Sequence, residues 1–276
     1  MNEQHWKSDF LQTSLLFEPI RKAVLHLEKL ESWPDLDDLN GLLVNNSEPM
    51  KTASGHPVRF VSQNNILVGE FAKQYEPRIY LAGEIQTREQ NWHDLFNALV
   101  WLTFPRAKAM LNQLHYQALL KERQAEETCR GPLRDAVTLF DESGVVVVSS
   151  HEQLSQLLKD FEWKTLFWGK RALLGTHMKF FVFGHGLYEK GLNPYVGMTG
   201  KGIVLSVEND FFSQSLQQQL INIDEMLAGF IAQGLTACTD LTPVPILGYP
   251  GWSLDNVDSR YYDNRSYFRA RPKVAI

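Results

Sequence analysis

The stretch Asn91–Lys108, NWHDLFNALVWLTFPRAK, constrains the fold of this chain more than any other. At 100° per residue, Trp92, Leu95, Phe96, Leu99 and Thr103 fall on one stripe, the spacing of a helix face turned to a core. His93 lies at the edge of that stripe. Asp94, Asn97 and Trp101 fall on the opposite side, with the tryptophan between the two polar residues. A solvent face rarely carries a tryptophan there, so the helix is expected to pack on two sides and to bury Asp94, Asn97 and His93 at least in part.

Burial sets a demand. An unpaired buried carboxylate is costly, so Asp94 needs a cation, a proton or a metal. His93 and Asp94 are neighbours about 100° apart on the helix and do not face one another. Pro105 cannot continue the hydrogen-bond ladder, so it kinks this helix or opens the next, expected from Arg106 to Leu120.

The composition is that of a globular protein, with 44% apolar and 21% charged residues among 276. A single compact domain over 1–276 is expected, with its one plausible seam near 122–130. The net charge of −5 offers no global attraction to nucleic acid or anionic membranes, so nucleic acid is not an expected partner. The two cysteines, Cys129 and Cys238, form no CxxC pair, which suits a reducing compartment. The first residues lack a basic segment followed by an apolar run, and Leu95–Phe104 is too short to span a bilayer. A soluble, cytoplasmic protein without membrane insertion is expected.

Periodicity predicts an amphipathic helix over Leu15–Leu30 and a long helix over Phe212–Gln233. Pro57–Ser62, Arg78–Ala82, Met178–Phe183 and Ile203–Val207 read as strands. Ala136–Phe140 and Val145–Ser149 flank Asp141-Glu142-Ser143-Gly144, which reads as a turn closing a β-hairpin. Ser150 with Gln153 has the capping-box pattern of a helix reaching Phe161. The fold class expected is α+β, with helices packed around a small, mostly antiparallel sheet containing at least one hairpin.

Several segments carry candidate chemistry. In FGHGLYEKG, His185 and Glu189 are i and i+4 if a helix begins near Gly184, close enough to pair or to serve as two metal ligands. A dinucleotide fingerprint is excluded there, because Glu189 stands where a small residue is required. Gly197–Gly202 has the wrong spacing for a phosphate loop and reads as a turn. Arg134 and Asp135 precede the expected hairpin, and the Arg134 guanidinium would answer the demand of Asp94. GxSxG and HExxH are absent. An adjacent His-Asp pair also occurs in all-helical metal phosphohydrolases, but the strands expected here argue against that body. The tail SRYYDNRSYFRARPK alternates arginines with aromatics and reads chiefly as tyrosines packed on the core beneath arginine stems.

The segments TREQNWHDLFNALVWLTFPRAKAMLNQLH, RDAVTLFDESG, FGHGLYEK, PVPILGYPGW and YYDNRSYFR, in this order from about Trp33 to Arg271, resemble those of a bacterial family catalogued as domain of unknown function 3025. The resemblance implies a bacterial protein of that family and brings no activity, cofactor or site residues with it.

Two expectations follow from the residues. In the first, His93, Asp94, Arg134, Asp135, His185 and Glu189 build a cleft that binds a small-molecule ligand. If it is an enzyme, acid–base or metal-assisted hydrolysis suits these groups, with His185 and Glu189 the ligands of a divalent metal. In the second, the protein is a non-catalytic structural or interaction protein whose polar cluster only stabilises the fold.

Overall fold

Four consecutive valines in GVVVVS make the central strand. They are β-branched and fully buried on both faces, as a strand covered on two sides must be. The computed structural model describes residues 4–44, 49–63, 71–126 and 129–271.

The helices are α1 (Arg21–Val24), α2 (Leu36–Val44), α3 (Tyr75–Ala82), α4 (Trp92–Thr103), α5 (Pro105–Gln124), α6 (Pro132–Ser143), α7 (Glu152–Lys159), α8 (His185–Gly191) and α9 (Leu216–Gly234). The strands are β1 (Arg59–Ser62), β2 (Glu84–Thr87), β3 (Gly144–Ser149), β4 (Met178–Val182), β5 (Thr199–Ser206) and β6 (Thr242–Pro245). Strands β1 and β2 form a parallel pair. The other sheet has the order β4-β3-β5-β6, with β3 antiparallel to β4, parallel to β5, and β5 antiparallel to β6. The α+β class holds. The sheet is mixed, which corrects the expectation of a mostly antiparallel one.

The expected hairpin is absent among the described residues, and the reason lies in α6. Leu133, Ala136, Val137 and Phe140 recur at helical spacing behind Pro132, which occupies the first helical position. That periodicity outweighs the local β-preference of Ala136–Phe140. Asp141 and Glu142 therefore end a helix and are not a hairpin tip, and β3 pairs instead with β4, beyond α7. Strand β1 falls within Pro57–Ser62 as expected, but Arg78–Ala82 is the end of α3. Gly83 terminates that helix in the left-handed region at φ 71°, and the strand is the next four residues.

The expected helix over Leu15–Leu30 is broken into two 3-10 segments around α1, with Pro19 inside the first. Its predicted core residues Leu16, Ile20, Val24 and Leu27 are all buried. Ser150 forms no capping box; its hydroxyl pairs with Asn209, and His151 stands at the start of α7. Thr199–Gly202 belongs to β5 and is not a turn.

Helix α4 has two packed sides. Trp92 and Phe96 sit in an aromatic cluster with Trp6, Phe10 and Trp33, while Asn97 and Trp101 are buried on the other face. Pro105 opens α5 directly behind α4, and the α5 start is held by Asp224 of α9, which accepts from the backbone N–H of Arg106 and Ala107. The aromatic part of the tail packs on the core, with Tyr262, Tyr267 and Phe268 buried and the Tyr267 hydroxyl donating to Met198 O, while the tail arginines Arg260, Arg265, Arg269 and Arg271 are exposed. Pro272 and Lys273 of the tail lie outside the described residues, as do residues 127 and 128 of the expected seam. Among the described residues, no helix is long and apolar enough to cross a membrane.

Candidate metal centre

Three helices bring the site together. The Asn91 side chain caps α4 by accepting from Asp94 N–H, and the aromatic cluster around Trp92 fixes the start of the helix. That leaves His93 on the face toward α8. Helix α8 begins immediately after β4, against the α6–β3 junction. A Cβ on Gly184 would lie 2.6 Å from Glu142 O, so only glycine admits this approach. Tyr188 locks the helix from behind: its hydroxyl donates to Val182 O at 2.7 Å, and its ring stacks with Phe17 and Phe96. His185 and Glu189, one turn apart, then both face α4.

The Nε2 atoms of His93 and His185 are 3.0 Å apart, with ring planes at 80°. Glu142 Oε1 lies 3.6 Å from His93 Nε2 and 3.4 Å from His185 Nε2. Behind His93, Nδ1 pairs with Glu189 Oε2 at 2.9 Å. Behind His185, Nδ1 is buried without a hydrogen-bond partner, and Asp141 Oδ2 stands 3.8 Å away.

Proton accounting limits what this arrangement means. A carboxylate accepts only, so His93 donates through Nδ1 to Glu189, and its neutral form has a lone pair on Nε2. If His185 also carries its proton on Nδ1, toward Asp141, two lone pairs and a carboxylate oxygen converge on one point. A cation must then stand between them, either a shared proton or a metal ion.

The spacing suits an ion. Ligands about 2.1 Å from one metal at roughly 90–110° are themselves about 3.0–3.4 Å apart. The three observed separations fall within a few tenths of an ångström of this. His93, Glu142 and His185 are the one group of at least three potential ligands so clustered among the described residues. Two imidazoles and a carboxylate leave further coordination positions open, the pattern of catalytic more than structural metal sites.

The electrostatics of the site are anionic. The hydrogen bond to Glu189 raises the His93 pKa above its ordinary value against the cost of burial, with Glu142 and Asp94 adding to it. Burial pushes Glu142 up, but His185 and His93 hold its carboxyl below the usual range.

A buried network lies directly beneath. Lys108 of α5 is 4% exposed, and its Nζ donates to Asp141 Oδ1 at 2.5 Å and Asn97 Oδ1 at 2.8 Å. It also sits over the Trp101 ring, 5.6 Å from its centroid. Asn97 Nδ2 in turn donates to the Tyr75 hydroxyl at 2.7 Å. Burial opposes ionisation of Asp141, but Lys108, His185 and His115 overcome it and hold its carboxyl below the ordinary aspartate value.

The sequence candidates separate into two groups. His93, His185 and Glu189 meet. Glu189 contacts Nδ1 of His93, on the far side of that ring from the converging atoms, and the carboxylate oxygen beside the two Nε2 atoms is that of Glu142. Asp94 lies next to the site but is satisfied by Arg88, which donates to it from its backbone N–H, Nε and Nη2. The structure does not bring Arg134 and Asp135 to the site. Arg134 pairs with Glu122, and Asp135 lies 3.1 Å from Arg130. Both belong to the first turn of α6, at the opposite end from Asp141 and Glu142.

Sequence reasoning missed Glu142, Asp141 and Lys108. The first two were hidden by the misread hairpin. A signal for Lys108 did exist: Lys108, Asn112 and His115 share one face of α5, and all three are buried.

The fold and this cluster define an α+β protein with a solvent-accessible His–His–Glu centre. The family model described as "Protein of unknown function (DUF3025)" matches residues 58–272, more than three quarters of the chain, and the chain belongs to that family. No curated protein and no solved structure matches it.

Proposed function

We propose that this chain is a metal-binding protein in which His93, His185 and Glu142 hold a divalent transition-metal ion and use it for hydrolytic chemistry on a small molecule. The observation that carries this reading is the convergence of two Nε2 atoms and one carboxylate oxygen within 3.0–3.6 Å of one another. A three-ligand ion keeps a position for water and lowers the pKa of that water to about 7, which supplies hydroxide near neutral pH. His93 stays 29% exposed at its side chain and Glu142 41%, so substrate can reach the ion from solvent. Glu189 orients His93 from behind, as carboxylates commonly do for ligating histidines. Action in the cytoplasm, by a single compact domain, belongs to the same proposal.

The test is titration of the purified protein with Co²⁺ and Zn²⁺, followed by visible absorption and calorimetry. One ion per chain, lost in His93→Ala and in Glu142→Gln, supports the reading. Hydrolysis of ester and phosphoester substrates that depends on the ion supports its catalytic half. Wild-type protein that binds neither ion overturns it.

A second reading has its own observation. Arg88 donates to Asp94 from three nitrogens, an architectural pairing of one of the polar residues of α4. If His93 and His185 share a proton instead of an ion, the whole cluster is a structural tie between α4, α6 and α8. Absence of metal binding in the same titration favours this alternative.

A further inference from the structure

Lys108 and Asp141 form a buried ion pair that the hydrolytic reading does not use. Such pairs seldom contribute net stability, because desolvation offsets the attraction, so their geometry is the place to look for a purpose. Here the geometry divides the carboxylate. Oδ1 of Asp141 is occupied by Lys108, and Oδ2 faces His185 Nδ1. That Nδ1 is buried and has no hydrogen-bond partner. Among the described residues, Asp141 is the carboxylate placed behind His185 as Glu189 is behind His93.

We propose that Asp141, anchored by Lys108, is a positioning residue for the metal centre. Its Oδ2 accepts a hydrogen bond from the Nδ1–H of His185, which keeps the proton on Nδ1 and so turns the Nε2 lone pair of that ring toward the ion. Lys108 acts one step further out. By engaging Oδ1 it fixes which carboxylate oxygen remains for His185, and through Asn97 and Tyr75 it ties that choice to α4 and α3. Binding of the ion is expected to close the 3.8 Å gap between His185 Nδ1 and Asp141 Oδ2 to hydrogen-bond length. The inference rests on the metal reading above and goes beyond it, because it assigns roles to two residues that touch neither ion nor substrate.

The roles have a consequence that packing alone does not predict. In Asp141→Asn, Lys108 needs an acceptor and draws the amide oxygen, so the amide NH₂ is turned toward His185 Nδ1. Two donors cannot face each other, and His185 must move its proton to Nε2, where it blocks the ion. Removing the lysine as well, in Lys108→Met/Asp141→Asn, frees the amide to rotate and offer its oxygen to His185. The double variant should recover affinity that the single variant has lost.

The experiment measures the Co²⁺ dissociation constant of the full chain by calorimetry, with circular dichroism to verify folding. Asp141→Asn is expected to weaken binding by about 10–100-fold, the usual effect of removing such a partner, and the double variant to regain part of it. Wild type that binds Co²⁺, with Asp141→Asn binding equally well, overturns the positioning role and leaves the metal reading standing. Wild type that binds no ion overturns both. Nitrogen-15 NMR of the histidines in the Zn²⁺-loaded wild type needs no variant at all. His185 protonated on Nδ1 supports the proposal, and His185 protonated on Nε2 sinks it even if a variant fails to fold.

Discussion

Gly186 and Glu142 are in such close approach that a Cβ on the glycine would stand 2.6 Å from Glu142 Oε2 and 2.9 Å from its carbonyl oxygen. The second residue of α8 thus limits where the Glu142 carboxylate can go. Gly186→Ala is expected to push that side chain off His93 and His185, weakening Co²⁺ binding at least about tenfold, as misplaced supporting groups usually do. It also lowers the melting temperature, because the carbonyl contact cannot relax by rotating a side chain. Calorimetric titration with thermal unfolding checks both; unchanged affinity would show that Glu142 is not a ligand.

Asp94 should behave as architecture. Its carboxylate receives the Arg88 backbone and guanidinium and lies in the first turn of α4, where negative charge is favoured. Asp94→Ala is expected to cost about 1–2 kcal/mol of stability in urea unfolding. Its Co²⁺ affinity should stay within about threefold of wild type, since neither Arg88 nor Asp94 touches the converging atoms.

Lys108→Ala strands Asp141 beneath the site with its cation gone. Breaking a buried pair from one side costs about 3–5 kcal/mol. Adding Asp141→Asn removes the stranded charge, so the double variant should be more stable than Lys108→Ala alone. A denaturation double-mutant cycle reads this coupling, and strictly additive losses would show that the two residues do not interact.

Asp224 gives the pH prediction. Burial raises its carboxyl to about 6, against the stabilising N–H groups of Ala107 and Arg106. The folded value lies above the unfolded one near 3.8, so the folded state takes up more protons as pH falls through 6 toward 4. The contribution of this group to stability therefore increases as pH falls and is lost as pH rises through 6. Relative to Asp224→Asn, wild type should gain about 2 kcal/mol between pH 7 and pH 4.5. Urea unfolding at both values measures it, and a difference that is flat or of opposite sign refutes the assignment.

How far the sequence was legible depended on which periodicity decided each element. Trp92, Phe96, Asn97 and Trp101 could be read as two buried faces because the 3.6-residue period runs unbroken over α4. The i, i+4 relation of His185 and Glu189 was legible for the same reason. At Ala136–Phe140, β-branched composition and a turn-like Asp-Glu-Ser-Gly pointed one way and the spacing of Leu133, Val137 and Phe140 the other. The spacing prevailed, and Glu142 went unnoticed with it. What joins His93 to Glu142 and His185 is tertiary packing between segments far apart in the chain, and no local pattern announces it. Arg88, six residues from Asp94, was close enough to find; Arg134 drew attention as the more conspicuous arginine.

The two facing histidines are 92 residues apart along the chain, and Glu142 lies between them. An ion held there would be a reversible clasp across about a third of the polypeptide. No single helix carries the whole set of ligands, so the clasp can close only once α4, α6 and α8 have met. Its grip would belong to the finished protein and not to the chain on its way there. Metal would then slow the opening of the molecule far more than it hastens assembly, and the rate at which chelator strips the ion would be a gauge of how often those three helices part.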